Sequence, residues 1–119
     1  MANILIVDDS RTSRKFLRNL LEADGHVIIG EAVDGDDGIA KFKELTPDIT
    51  TMDITMPVKD GIEALAGIME YDKEAKVIMV TAAGQKEKMM SALKVGAQEF
   101  ITKPFDAEEI TKVIAKILG

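Results

Sequence analysis

Four short stretches hold the polar side chains of this chain best suited to chemistry. They are Asp8 and Asp9 in "ILIVDDS", Asp53 in "DITMPVKDG", Thr81 in "VTAAG" and Lys103 in "ITKPF". Each comes directly after an apolar, β-prone run. Three carboxylates brought close together repel one another, so something must compensate. A hard divalent cation is the simplest compensation, and oxygen donors with no His or Cys beside them point to magnesium. Magnesium takes one or two carboxylates and keeps several waters, so such a site stays open. The three carboxylates, the Lys103 ammonium and a divalent ion sum to neutrality, which leaves the site able to accept an anionic phosphoryl group. A carboxylate can then act as nucleophile and become an aspartyl phosphate. The metal, the lysine and the Thr81 hydroxyl would stabilise charge on the transferring oxygens.

Such a site exists only if the fold gathers residues that lie far apart in the chain. Five apolar runs stand out, at Ile4–Val7, Val27–Ile29, Ile49–Met52, Val77–Val80 and Phe100–Ile101. "ILIV" and "VIMV" are continuously apolar, as in strands covered on both faces. Helical stripes lie between them: Phe16, Leu17, Leu20 and Leu21; Ile39, Phe42 and Leu45; Ile62, Leu65, Ile68 and Met69; Met89, Met90 and Leu93. Ile110, Val113, Ile114, Ile117 and Leu118 make a last, clear stripe. Ser10 is placed to cap the first helix. Alternation of this kind predicts an α/β fold, a doubly wound parallel sheet between two layers of helices. Ligands of such sheets bind beyond the carboxyl ends of the strands. Asp8 and Asp9 come after the first strand, Asp53 after the third, Thr81 after the fourth and Lys103 after the fifth. Only the second strand, running into "GEAVDGDDG", offers no such group. "DITTMD" is less apolar than a covered strand should be.

Composition narrows the function further. A length of 119 residues suits one domain, here the whole of 1–119 with no linker, repeat or second unit. The net charge of −6 argues against nucleic acid as a general partner. No run reaches the roughly 20 apolar residues of a membrane span, and the N-terminus lacks the marks of a secretory signal. Cysteine is absent, so no disulfide or thiolate site can form. A cytoplasmic monomer is the expectation.

The segments "ILIVDDS", "DITMPVKDG", "VTAAG" and "ITKPF", in this order and spread over nearly the whole chain, resemble the signature segments of two-component response regulator receiver domains. "SRKFLRNLLEADG" is similar to the first helix of chemotaxis response regulators of the CheY type. The resemblance implies a flavodoxin-like (βα)5 sheet of strand order 2-1-3-4-5. It implies that Asp53 takes a phosphoryl group from a histidine kinase or a small donor such as acetyl phosphate. Asp9 and Asp53 would bind magnesium directly, Asp8 through water and Thr55 through its carbonyl. Lys103, with a cis bond to Pro104, would contact the phosphoryl oxygens. Thr81 would move its hydroxyl onto the phosphoryl group, and Phe100 would turn inward where the family often has Tyr. Output would pass through the fourth helix, fifth strand and fifth helix, around Lys86, Met89, Phe100 and Lys116. The partner implied is a protein, foremost the flagellar motor switch, with a phosphatase to reset the signal.

Simpler roles exist for each residue alone. Asp8 and Asp9 suit any strand-to-helix turn, because acidic groups favour a helix N-terminus. Asp53 alone reads as a turn residue, with Pro57 and Gly61 breaking the loop behind it. The joint pattern with Thr81 and Lys103 outweighs these readings. His26 reads as a solvated strand-edge residue, Met89 and Met90 as core with room for Met89 to be partly exposed, and Lys86 and Lys88 as a solvated helix face. Thr55 and Ala83 carry neither amide nor acid, so little positioning of water is expected of them. A phosphatase of the haloacid dehalogenase type would need an acid where Thr55 stands. A flavodoxin-like cofactor module would set Asp8 and Asp9 against the phosphate and has only Tyr71 to stack on a ring. A single-domain phosphorelay carrier, passing its phosphoryl group to another histidine, is the nearer alternative.

Overall fold

Continuously apolar runs cannot leave either face in water, and here they become the inner strands of one parallel sheet. The computed structural model describes residues Met1–Gly119. The strands are β1 (Asn3–Val7), β2 (Val27–Ala32), β3 (Ile49–Asp53), β4 (Val77–Thr81) and β5 (Glu99–Thr102). They alternate with α1 (Arg11–Ala23), α2 (Gly35–Leu45), α3 (Gly61–Tyr71), α4 (Lys86–Val95) and α5 (Ala107–Leu118). The order across the sheet is β2-β1-β3-β4-β5, every pair parallel, as expected. No helix is long and apolar enough to cross a membrane.

Alternation along each strand sends side chains into two cores. Leu5, Val7, Met52, Val77 and Met79 meet Phe42 of α2, Leu65 and Ile68 of α3 and Ala92 of α4. Ile4, Ile6, Ile49, Ile78 and Val80 meet Leu17 and Leu21 of α1 and Ile110, Ile114 and Ile117 of α5. β3 is buried throughout despite its two threonines. The hydroxyls of Thr50 and Thr51 find no hydrogen-bond partner there.

Helix starts are fixed by side chains at the carboxyl rim of the sheet. Ser10 accepts from the Ser13 amide at 3.2 Å, as its sequence predicts. Asp34 accepts from the Asp37 amide at 2.8 Å. Asp60 and Glu63 form a capping box, which satisfies two otherwise free amides at the head of α3.

β2 runs to Ala32, three residues past the apolar stretch that marks it in the sequence. The extension carries Glu31, whose carboxylate is gripped by Arg14 at 3.0 Å and Arg18 at 2.7 Å. Burial pushes the Glu31 carboxyl up, but the two guanidinium groups outweigh it and hold it below the usual range. The pair pins α1 to the sheet, and Arg14 also donates to the Asp8 carbonyl at 2.8 Å.

Three apolar or polar assignments differ from the sequence reading. His26 is buried, not solvated: its Nδ1 accepts from the Ala2 amide at 3.0 Å and its Nε2 faces Asp24 at 3.2 Å. A side chain with both a donor and an acceptor can fill a place that a hydrocarbon cannot. Phe16 leaves the α1 stripe and is 54% exposed, stacked on Phe105 with ring centroids 5.9 Å apart. Met90 and Leu93 are exposed beside the half-buried Met89, because α4 presents a narrower face to the sheet.

Candidate functional site

Parallel pairing in register brings the ends of β1, β3, β4 and β5 to one rim. Val7 lies opposite Met52, Asp53 opposite Val80, and Thr81 opposite Thr102. The next residues along, Asp8 and Lys103, therefore share that rim with Asp53 and Thr81. Asp8, Asp9 and Asp53 place one carboxylate oxygen each within 4.8 Å of one another. Lys103 Nζ stands 3.3 Å from Asp8 Oδ2 and 3.8 Å from Asp53 Oδ2. Sequence reasoning gathered these four residues, and the fold brings them together.

Local structure explains how each is held. The other oxygen of Asp8 accepts from the Ser10 amide at 2.8 Å, so this buried carboxylate is fixed from both sides. Asp9 is exposed. Lys103 is anchored by its own amide on the Thr81 carbonyl at 2.8 Å, and its peptide bond to Pro104 is cis. Asp53 closes β3, and Gly61 closes the loop behind it. A Cβ on Gly61 would lie 2.1 Å from the Asp53 carbonyl oxygen. Gly61 is therefore the buried first residue of α3, pressed onto the backbone of Asp53, and not merely a breaker.

Electrostatics set Asp53 apart. Its carboxyl is pushed up from 3.8 to about 6. Burial is the largest cause, and the charge of Asp8 adds to it. Lys103 pulls the other way, and Asp9 adds a smaller push. A buried carboxylate beside two others has an unmet need for positive charge beyond the one lysine. The donors are all oxygens, with no nitrogen or sulfur ligand, and Asp9 leaves one side open to water. These residues fit magnesium, which prefers hard oxygen ligands and retains part of its hydration.

Thr81 ends β4 nearly buried, its hydroxyl shared between the Ala82 carbonyl and Gln85 Oε1, each at 3.2 Å. Thr55 lies two residues beyond Asp53, exposed, and its hydroxyl accepts from Gln85 Nε2 at 2.6 Å. Gln85 is the residue that sequence reasoning missed. Only its amide, four residues beyond Thr81, could have marked it. Phe100 is half-buried against the core on the α2–α3–α4 side. Lys86 is exposed on α4, Met89 half-buried beside it, and Lys116 of α5 pairs with Glu99 of β5 at 2.7 Å. These four lie on the elements expected to carry output, apart from the carboxylate cluster.

Comparison with known proteins bears on the same residues. The response regulator receiver domain family model matches residues 4–115. Protein CcdB of Bacillus subtilis is 43% identical over 119 residues, covering 100% of this chain and 99% of that protein. Chemotaxis protein CheY of Thermotoga maritima is 42% identical over 114 residues, covering 96% and 95%. Among solved structures, the CheX–CheY–BeF3–Mg complex from Borrelia burgdorferi superposes with a TM-score of 0.94 at 40% identity, covering 98% of this chain and 89% of that one.

Proposed function

The chain belongs to the response regulator receiver domain family, whose CheY-type members are phosphoacceptor switches and not enzymes, and from that premise we propose that it is a stand-alone chemotaxis response regulator phosphorylated on Asp53. The observation that carries this reading is the meeting of Asp8, Asp9 and Asp53 with Lys103 at one rim of the sheet. The chain matches these relatives over nearly their whole length, which supports a function carried by this domain.

Asp53 is the nucleophile. One of its oxygens forms a bond to phosphorus as the bond from the donor's imidazole nitrogen breaks, and the freed nitrogen keeps the electron pair. Asp9 and Asp53, with the Thr55 carbonyl, would hold magnesium directly. Asp8, whose oxygens are already engaged by Ser10 and Lys103, would act through water. When bound, the ion neutralises charge on the phosphoryl oxygens. Lys103 supplies a further positive contact, and Thr81 a hydroxyl once it leaves its present partners. Phe100 then packs further inward. The changed face of α4, β5 and α5, around Lys86, Met89, Phe100 and Lys116, binds a protein target better than the unmodified face does.

A histidine kinase is the donor, and the flagellar motor switch is the target we favour. A phosphatase would reset the signal, and the Borrelia CheY bound to CheX supports a CheX-like protein as a further partner. Incubation with acetyl phosphate, with and without chelator, tests the core of this reading by mass spectrometry. A single adduct of phosphoryl mass on Asp53, lost with chelator and in Asp53→Asn, is expected. Labelling undiminished in that variant would refute it. Onward transfer to a histidine protein would instead identify a phosphorelay carrier.

A further inference from the structure

Gln85 stands at the N-cap of α4 yet makes no side-chain bond to its own helix, whereas Ser10, Asp34, Asp60 and Asp106 all cap theirs. Its carboxamide is spent across the site. Oε1 accepts from the Ala82 amide at 2.6 Å and from the Thr81 hydroxyl at 3.2 Å. Nε2 donates to the Thr55 hydroxyl at 2.6 Å. The orientation of the amide is not arbitrary, because the Ala82 N–H can face only an acceptor. One side chain thus ties together the loop after Asp53, the end of β4 and the start of α4.

The Thr81 hydroxyl has a single proton, and it is directed at Gln85 and the Ala82 carbonyl. To reach a phosphoryl oxygen on Asp53 it must surrender the Gln85 acceptor. We propose that Gln85 is a positioning residue, a latch that holds Thr81 in the unphosphorylated arrangement and so sets how readily the switch closes. The inference rests on the reading of Asp53 as phosphoacceptor. Apparent affinity for any group that requires the closed arrangement falls with the fraction of molecules competent to adopt it. Weakening the latch raises that fraction. Thr55 takes part by fixing the amide, which gives a role to its hydroxyl distinct from that of its carbonyl.

Beryllofluoride, a phosphoryl mimic, titrated in excess magnesium and followed by NMR of the Thr81 methyl group, tests this. Gln85→Leu, close in shape and without hydrogen-bonding atoms, is expected to lower the midpoint about fivefold, the equivalent of one neutral hydrogen bond. Thr55→Val is expected to lower it by a smaller factor, and the double variant to shift no further than Gln85→Leu alone. Before any mimic is added, the Thr81 methyl resonance of both single variants should already lie part of the way toward its saturated position. A purely structural Gln85 would not move it in that direction. A wild-type response that depends on Asp53, with midpoints in both variants equal to or above it, overturns the latch alone. Should Gln85→Leu fail to fold, Thr55→Val decides by the same two readouts. Absence of any Asp53-dependent response in the wild type overturns both the latch and the phosphoacceptor reading.

Discussion

Asp53 is held in a place where its charge is unwelcome until a cation arrives, and that has a thermodynamic consequence. Its folded pKa of about 6 lies above the ordinary 3.8. For an acid raised in this way, the favourable contribution to folding is fully present below pH 3.8. It is lost as pH rises through 6. Two units correspond to about 3 kcal/mol of stability missing at neutral pH in the metal-free protein. Coupling among three carboxylates spreads this over the cluster, so Asp53→Asn should stabilise the metal-free protein by about 1–3 kcal/mol at pH 7.5 and hardly at all at pH 4. Urea unfolding in chelator at the two pH values measures it, and an equal effect at both would contradict the electrostatic account. Thr51 makes the opposite case, a buried hydroxyl with no partner and no proposed role. Thr51→Val keeps the shape and removes the unsatisfied group, so it should raise stability by about 1 kcal/mol, read as a higher unfolding midpoint.

At the scale of elements, the loop from Asp53 to Gly61 does the positioning, through one close approach. A methyl group at Gly61 would collide with backbone, not with the end of a flexible side chain, so relief requires the start of α3 to move. Gly61→Ala should therefore lower stability by about 2 kcal/mol or more and slow acetyl phosphate labelling of Asp53 beyond what unfolding explains. Labelling at the wild-type rate in the folded fraction would show that the loop tolerates the shift. The strands, the helices and the polar residues at strand ends were legible in the sequence from periodicity and position, whereas the strand order that gathers the four-residue cluster came from the family resemblance. Other features were not, and for a common reason. The burial of His26 depends on a partner 24 residues away, the Ala2 amide. The extension of β2 through Glu31 depends on arginines of α1. Gln85 is a polar residue whose meaning lies in Thr55 and Thr81, which no local pattern connects to it. Phe16 fits the helical period of α1 but lies over the edge of the core, where Phe105 stacks on it.

Across the whole molecule, the carboxylate rim and the expected output face are separate, and β4 and β5 are the rigid parts that join them. Met79 lies opposite Phe100, and Thr81 opposite Thr102, so the site residue on β4 and the aromatic on β5 are two residues apart along one ladder. Lys103 continues β5 into the site, its amide on the Thr81 carbonyl and its ammonium between Asp8 and Asp53. On the proposed function, a phosphoryl group that drew Lys103 and Thr81 together would pull on the strand that bears Phe100. Coupling of this kind needs a two-state element biased from both sites, and the half-buried Phe100 ring is the candidate for it. Lys103→Ala removes the ammonium but leaves Asp53 and its neighbouring carboxylates. It should still take up beryllofluoride on Asp53 at higher concentration, while the Phe100 ring resonances that shift in the wild type stay near their unliganded positions. Ring resonances that track saturation as far as in the wild type would mean that the signal crosses from Asp53 to β5 by Thr81 alone.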